Sequence, residues 1–485
     1  MIYDDISARP MAPTPEDERR QHHTSSRKKL LTGDYEDLLE KELYLHLSTD
    51  RRSSWGVADM SSNIAESVTR ELAQLYRETP TLSNDGDITD LTKIMSSYWP
   101  MMIKQQQYIL FLRESISRVD YVPPPAGYPD RKGTFTYRIV TPDLVYCESS
   151  PNQPEEPNFY AELRLRSYQT DGKKPTAIYT VDIFDIRDIN NPRFTIRRVE
   201  ANGEYSEDLT NYYIGKPELS GDDYYWRYAD GLPFIPIQLY HAEKNGKLWS
   251  PFEKSNLYFG SLTAMILYTF WIHIIRDSAF SIKYCAGLNL AGLSVVNQDE
   301  PARRQAISTD PSSILVFNTD PDMSGQPLIG QFNPSANPKE LMESIKQYEQ
   351  RAAASFNISA SMLRSSGDPR SGYALSIDRD GQRMAQKQFI PVMSGYDILF
   401  AAKIAALSNR LLGSSLPEAG YRIQYAPIPK SATELDAERR DLLEKLAAGL
   451  MSPIDAIMKM QPDLDPIQAR RELERIRREK LEFQT

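Results

Sequence analysis

Residues 262–275 read LTAMILYTFWIHII, an apolar run with no formal charge and no helix breaker. A helix built from it is apolar nearly all the way round, so it needs cover on every side and cannot lie on a surface with one wet face. The run falls short of the ~20 apolar residues that a bilayer span takes. It is therefore expected inside its own subunit or against another one, within a helix from about Lys254 to Ser281. Leu262, Ile266, Phe270 and Ile274 mark the stripe expected to pack, with contact between neighbouring copies favoured over burial within one.

The sequence on either side has a different texture. Ile64, Val68, Leu72 and Leu75 recur at helical spacing, and 88–116 carries a second amphipathic pattern that ends before Pro123, Pro124 and Pro125. From Thr134 to Tyr240 short runs such as FTYRIV, AELRLRSY, IYTVDIFDI and RFTIRRV are separated by Gly, Asn, Asp and Pro, which predicts a tyrosine-rich antiparallel sheet module. GLPFIPIQLYH at 231–241 reads as a turn and an edge strand, because Pro236 cannot donate to a ladder.

Residues 282–337 return to short strands, IKYCAGLNLAGLSVV and SSILVFNTD, around the polar insertion NQDEPARRQAISTDP. Asn337-Pro338 opens a helix that ends near Asn357. Helical sequence resumes at about Tyr373 and runs to Leu412 with Pro391 inside it, a position expected to kink it. YRIQYAPI at 421–428 is expected to return as a strand to the sheet. Ser431 with Glu434, Gly449, Ser452-Pro453 and Asp465-Pro466 punctuate a helical C-terminus. No fixed-period repeat is present, so the expected fold class is α+β, elongated and built of several modules.

Chemistry is hard to place on this chain. Gly367 and Gly372 bracket the loop RSSGDPRSGYAL with P-loop spacing, but Tyr373 and Ala374 stand where a P-loop has Lys and Ser/Thr, and a helix rather than a strand precedes it. The missing lysine is the group that reaches the terminal phosphates, so nucleotide binding here is disfavoured. The histidines His22, His23, His46, His241 and His273 show no metal-ligand spacing, and no Gly-x-Ser-x-Gly elbow occurs. Asp378 and Asp380 point to different faces of a helix, and Asp222-Asp223 and Glu155-Glu156 fall in turn-like segments. No catalytic residue, cofactor site or metal site is nominated, and an enzyme is not expected.

The compartment and partners are bounded more loosely. Cys147 and Cys285 are the only cysteines, which suits a reducing compartment. The N-terminus MIYDDISARPMAPTPEDERRQHH has acids and prolines where a secretory signal needs a basic start and an apolar run, so the chain is expected to be made in the cytoplasm. A net charge of −9 argues against a generally basic surface that coats nucleic acid. A local basic loop stays open.

Three segments, GLPFIPIQLYHAEKNGKLW before a long helix, RSGYALSIDRDGQRMAQKQ opening another, and AAGLMSPIDAIMKMQPDLDP near the end, together with the order of modules, resemble the portal proteins of tailed bacteriophages. The resemblance covers most of the chain after about residue 60. It implies a dodecameric homo-oligomeric ring at one capsid vertex of the virion, through which double-stranded DNA is packaged and ejected. It further implies partners in the terminase large subunit, which holds the ATPase, the major capsid and scaffolding proteins, and a head-tail adaptor, with no membrane.

Residues 1–60, polar and carrying Pro10, Pro13 and Pro15, read as a flexible N-terminal arm of open role with no clear match in that family; by the resemblance 61–254 would be a wing, 255–281 and 338–356 two stem helices, and 282–337 a clip facing terminase and adaptor. Residues 357–372 would be a tunnel loop, 373–429 the long kinked wing helix with its returning strand, and 430–485 a helical crown. The tunnel-loop residues carried over are Arg364, Ser365, Ser366, Gly367, Asp368, Pro369, Arg370, Ser371 and Gly372. Arg364 and Arg370 become circles of positive charge in a ring, and Arg303 and Arg304 are the candidate clip contacts. A solvated loop or an intersubunit ion pair is the competing reading for these arginines. The alternatives for the whole chain are a DNA-processing or nucleotide-dependent enzyme, or another head-tail connector or membrane-associated scaffold.

Overall fold

Residues 15–45 depart from the flexible arm expected of them: they form helices α1 (Pro15–Thr32) and α2 (Glu36–Leu45). In α1 the inward positions at helical spacing are polar, Arg20, Thr24 and Arg27, all buried, with Leu30 and Leu31 following. That is why an apolar periodicity gave no signal. Arg20 stacks its guanidinium 3.7 Å over the Trp249 ring and donates to the Pro142 carbonyl at 3.4 Å. Lys28 donates to Thr141 Oγ1 at 2.9 Å and pairs with Asp143.

The computed structural model describes residues 15–45, 63–124, 133–170, 175–199, 205–251, 256–279, 282–286, 288–290, 317–319, 328–332, 337–354, 372–428, 430, 432–460 and 464–482. The protein is α+β with antiparallel sheets.

Asn63 caps α3 (Ile64–Leu72), its side chain accepting from the Glu66 amide at 3.1 Å. After β1 (Thr81–Ser83), the single helix expected over 88–116 is two helices and a strand: α4 (Thr89–Met95), α5 (Trp99–Leu112) and β2 (Glu114–Val122). Pro100 in the first turn of α5 is compatible with a helix start. The exit from α5 is made at Arg113, the one non-glycine among the described residues with a positive φ, 75°. Left-handed backbone at such a residue costs ~1–2 kcal/mol. Arg113 is held there by an ion pair to Glu243 at 3.0 Å and by its carbonyl, which accepts from the Ala242 amide at 2.8 Å.

β3 (Thr134–Val140) and β10 (Ile237–His241) flank β2 in a three-stranded sheet. β10 is an edge strand, as Pro236 requires, and the Pro236 carbonyl accepts from the Val119 amide. β4 (Val145–Ser150), β5 (Gln153–Thr170), β6 (Pro175–Asp185), β7 (Arg193–Val199) and β8 (Tyr205–Asp208) form a six-stranded antiparallel sheet in that order. The sixth strand, β9 (Leu219–Ser220), follows the short helix α6 (Thr210–Ile214) and pairs with β7.

α7 (Asn256–Ala279) is the apolar helix, and it packs on α8 (Pro338–Ala354). A Cβ on Gly260 would stand 3.3 Å from Ala352 Cβ, and at the other end the Trp271 indole donates to the Pro338 carbonyl at 2.9 Å. The pair is thus antiparallel and close. Between them β11 (Ile282–Ala286) pairs with β14 (Leu328–Phe332), and β12 (Leu288–Leu290) with β13 (Phe317–Thr319).

α9 (Gly372–Leu412) runs 41 residues and stays helical through Pro391. β15 (Arg422–Gln424) pairs with β1 in a two-stranded sheet of their own. The expectation that it rejoins the main sheet is corrected. Three helices close the chain: α10 (Ala432–Ala447), α11 (Pro453–Met460) and α12 (Pro466–Glu482). Ser452 Oγ accepts from the Asp455 amide, Asp465 and Gln468 exchange side-chain and backbone bonds, and Gly449 has φ +72°, so at these positions the punctuation read in the sequence is the capping observed. Ser431 lies outside the described residues.

Two cores result. One joins α4, α5, the sheets and the second half of α9 around Tyr98, Tyr240 and Phe400. The other joins α1–α3, α5 and α7 around Leu39, Val68, Leu262 and Met265, with Ala352 and Ala353 of α8.

Candidate functional site

The residues nominated from the sequence fall into three groups. Arg364, Ser365, Ser366, Gly367, Asp368, Pro369, Arg370 and Ser371 lie outside the described residues, as do Arg303 and Arg304; Gly372 is the first residue of α9. Pro391 stands inside α9. The α7 stripe is described, and for Leu262 and Ile266 it corrects the expectation of contact between copies. Leu262 and Ile266 are 3 % and 6 % exposed within the single chain, where α2, α3 and α8 cover them. Phe270 and Ile274 are half-buried. The exposed large apolar residues of the helix are Phe259, 54 %, on the side of the stripe, and Ile272 and Ile275, 45 % and 38 %, turned away from it. Leu257–Ile275 also passes as a membrane span by length and composition, which the shorter 262–275 run did not.

Beyond Gly372 the structure shows how α9 is anchored. Gln382 stands about 15 Å along the helix from Gly372, at ~1.5 Å per residue. It donates to the Glu71 carbonyl and carboxylate at 3.1 and 3.0 Å, and Gln386 donates to the Ala426 carbonyl at 2.8 Å. Beyond Pro391 the attachment becomes a buried polar hub.

At that hub Asp397, fully buried, accepts three phenol hydroxyls: Tyr76 at 2.9 Å, Tyr240 at 2.7 Å and Tyr425 at 2.5 Å. Tyr240 spends its proton on Asp397, so Tyr98, 2.6 Å away, donates to Tyr240, and Ser117 lies 3.2 Å from Tyr98. One carboxylate thereby ties α9 to the segment after α3, to β10 and to the residue after β15, with Tyr98 joining through Tyr240. Burial raises the Asp397 carboxyl to about 6, against the lowering by its three hydrogen bonds. Burial and that carboxylate push Tyr76, Tyr240 and Tyr425 upward. None is set up to lose a proton near neutrality.

One and a half turns further on, buried Lys403 donates to the Ile237 carbonyl at 2.9 Å, and burial lowers its pKa. The whole second half of α9 is locked to β10 and its surroundings by hydrogen bonds as well as apolar contact.

A second polar cluster fastens the three-stranded sheet to the six-stranded one. Arg118 of β2 reaches Asp120 at 2.9 Å, Glu162 at 2.7 Å and Asp182 at 2.7 Å. Arg138 of β3 joins Asp120 and Glu162, and Arg166 of β5 meets Asp182 at 2.5 Å. The arginines hold Asp120 and Asp182 below the usual carboxylate range, although burial alone would raise both. Tyr160 adds a hydroxyl to Glu162 at 2.7 Å.

A third cluster sits where the chain leaves β10 for α7. Glu114 is buried, accepts the Ser250 amide at 2.8 Å, and lies 3.8 Å from His241 Nδ1; Ser250 Oγ is 3.4 Å from the same nitrogen. Burial raises Glu114 to about 7 and lowers His241 to about 4. A Ser, His and acid together invite comparison with a hydrolase triad, but both partners approach Nδ1 and Nε2 is buried without a partner. The imidazole has no free edge through which to relay a proton from serine to acid. Among the described residues no group of three His, Cys, Asp or Glu side chains is placed to hold a metal ion.

Sequence reasoning passed over these clusters, yet each left a trace. Asp397 and Lys403 are charges inside the apolar run YDILFAAKIAAL, and Arg118 and Asp120 occupy alternate positions of a strand otherwise built for burial. Neither the models of known protein families nor the characterised proteins compared with this sequence match it.

Proposed function

We propose that the protein is a portal subunit: a ring at one capsid vertex that passes double-stranded DNA during packaging and ejection, and docks terminase, capsid and adaptor proteins. The reading rests first on the sequence resemblance and its module order. The observation in the fold that best supports it is the anchorage of α9. A helix leaving a loop aimed into a channel must bear the drag of passing DNA, and here it is bolted through Gln382, Gln386, Asp397 and Lys403.

In this reading α7 and α8 are the stem, and the surface between copies is the Ile272 and Ile275 side of α7. Leu262 and Ile266 are spent within the subunit. Replacing both residues, Ile272→Arg with Ile275→Arg, is expected to break oligomers into smaller species by sedimentation while each chain keeps its melting temperature. An unchanged oligomer mass would remove this face from the interface.

A membrane-associated scaffold is the second reading, favoured by the span-like length of Leu257–Ile275. Flotation with liposomes separates the two: a portal stays at the bottom of the gradient.

A further inference from the structure

The last helix, α12, carries Arg470, Arg471, Arg477 and Arg478, all exposed and none with an ion-pair partner among the described residues. Arg475, beside the Arg471 and Arg478 row, is different: it is tied to Glu472 at 2.5 Å and Glu479 at 3.3 Å. Seven residues make almost two helical turns, so Arg470 stacks under Arg477 and Arg471 under Arg478, about 10.5 Å apart along the axis. The four form two parallel rows on one face. Ile467 and Glu474 share that face, with Glu474 three or four residues from each of the four arginines. Buried Ala469 and half-buried Leu473 flank the Arg470 and Arg477 row on the side away from Arg471, and the helix packs on α11.

We propose that this arginine face binds the phosphate backbone of double-stranded DNA. A chain with net charge −9 that concentrates four unpaired guanidinium groups on one helical face has a local charge opposite to its own average. Guanidinium presents a planar fork of donors that fits phosphate oxygens, and rows of such forks along a helix hold a charged backbone without reading bases. The choice of DNA as the polyanion rests on the portal reading, and the arginine face itself does not.

The test uses the full-length protein and a fluorescein-labelled duplex of arbitrary sequence, with anisotropy followed over a range of salt. Changing the four arginines together to Gln is expected to weaken binding equally for any sequence. It should also flatten the slope of log K against log salt by up to about 3.6, at ~0.9 for each phosphate the protein no longer neutralises. The paired control Arg193→Gln with Arg197→Gln, on exposed positions of β7, should leave the slope unchanged, and circular dichroism checks that both variants fold. An unchanged slope in the quadruple variant, or no DNA binding by the parent protein, overturns the proposal while leaving ring formation intact. Altered subunit assembly with unaltered DNA binding also overturns it, and marks the face as a contact between copies.

Discussion

The Asp397 carboxylate accepts the Tyr240 hydroxyl at 2.7 Å across 157 residues of chain, so the longest helix and the edge strand β10 share one buried hydrogen bond. Tyr76 and Tyr425 complete the arrangement, and none of the three phenols meets another acceptor as strong.

Asp397→Leu should therefore cost about 3–5 kcal/mol in chemical denaturation, because it leaves three buried hydroxyls without their acceptor. Asp397→Asn, which keeps the shape, should cost less. The two also differ from the parent protein in pH dependence. The folded pKa near 6 lies above the ordinary value of 3.8, so the group's contribution is fully present below about pH 4 and is lost as pH rises through 6. The stability gap between parent and Asp397→Asn should shift against the parent over that interval; a gap independent of pH would contradict the buried, raised carboxyl.

Arg118 is the shared cation of Glu162 and Asp182 between the sheets. Arg118→Ala leaves two buried carboxylates short of charge and should lower stability by about 3–5 kcal/mol in urea. Because Asp182 is held low, its stabilisation is present above pH 3.8 and disappears as acid is added. Acid unfolding of the parent should begin in that range, and in Arg118→Ala at a higher pH. A cost under about 1 kcal/mol in the variant, the scale of an exposed ion pair, would show the network to be dispensable.

Glu114 and His241 shift in opposite directions and should nearly cancel. Unfolded near pH 5.5 the pair carries its proton on histidine; folded, it carries it on glutamate, and the total is unchanged. Each single variant uncovers one half. His241→Asn should give a protein that loses stability as pH rises from about 4.5 to 7, and Glu114→Gln one that loses it as pH falls from about 6.5 to 4. Two variants whose pH profiles match the parent's would refute the pairing.

Deleting residues 365–371 should leave oligomers of parent mass while impairing DNA packaging or retention. Failure to assemble would instead make that segment part of the subunit contact.

The sequence carried the helix and strand periodicities well where burial is apolar: α7, α8, α9 and the strands β5, β6 and β7 lie where the pattern put them. It failed where inward positions are polar. In α1 the buried Arg20, Thr24 and Arg27 look like the solvated residues of a loose arm until Trp249, Pro142 and Thr141 are seen against that helix. The Arg113 exit from α5 was invisible for another reason, since its left-handed backbone is stabilised by Ala242 and Glu243, far along the chain. Still greater distances in sequence, 321 and 157 residues, separate Asp397 from Tyr76 and Tyr240, so the aspartate could be noticed as odd but not assigned partners. For α7, the apolar run was plain in the sequence, but the burial of Leu262 and Ile266 within the chain depended on α3 and α8, which lie far from it in sequence.

Electron microscopy of the purified full-length protein tests the central reading most directly. A portal subunit gives closed rings with a central hole wide enough for a DNA duplex and one rotational symmetry. A monodisperse monomer under every assembly condition would contradict it.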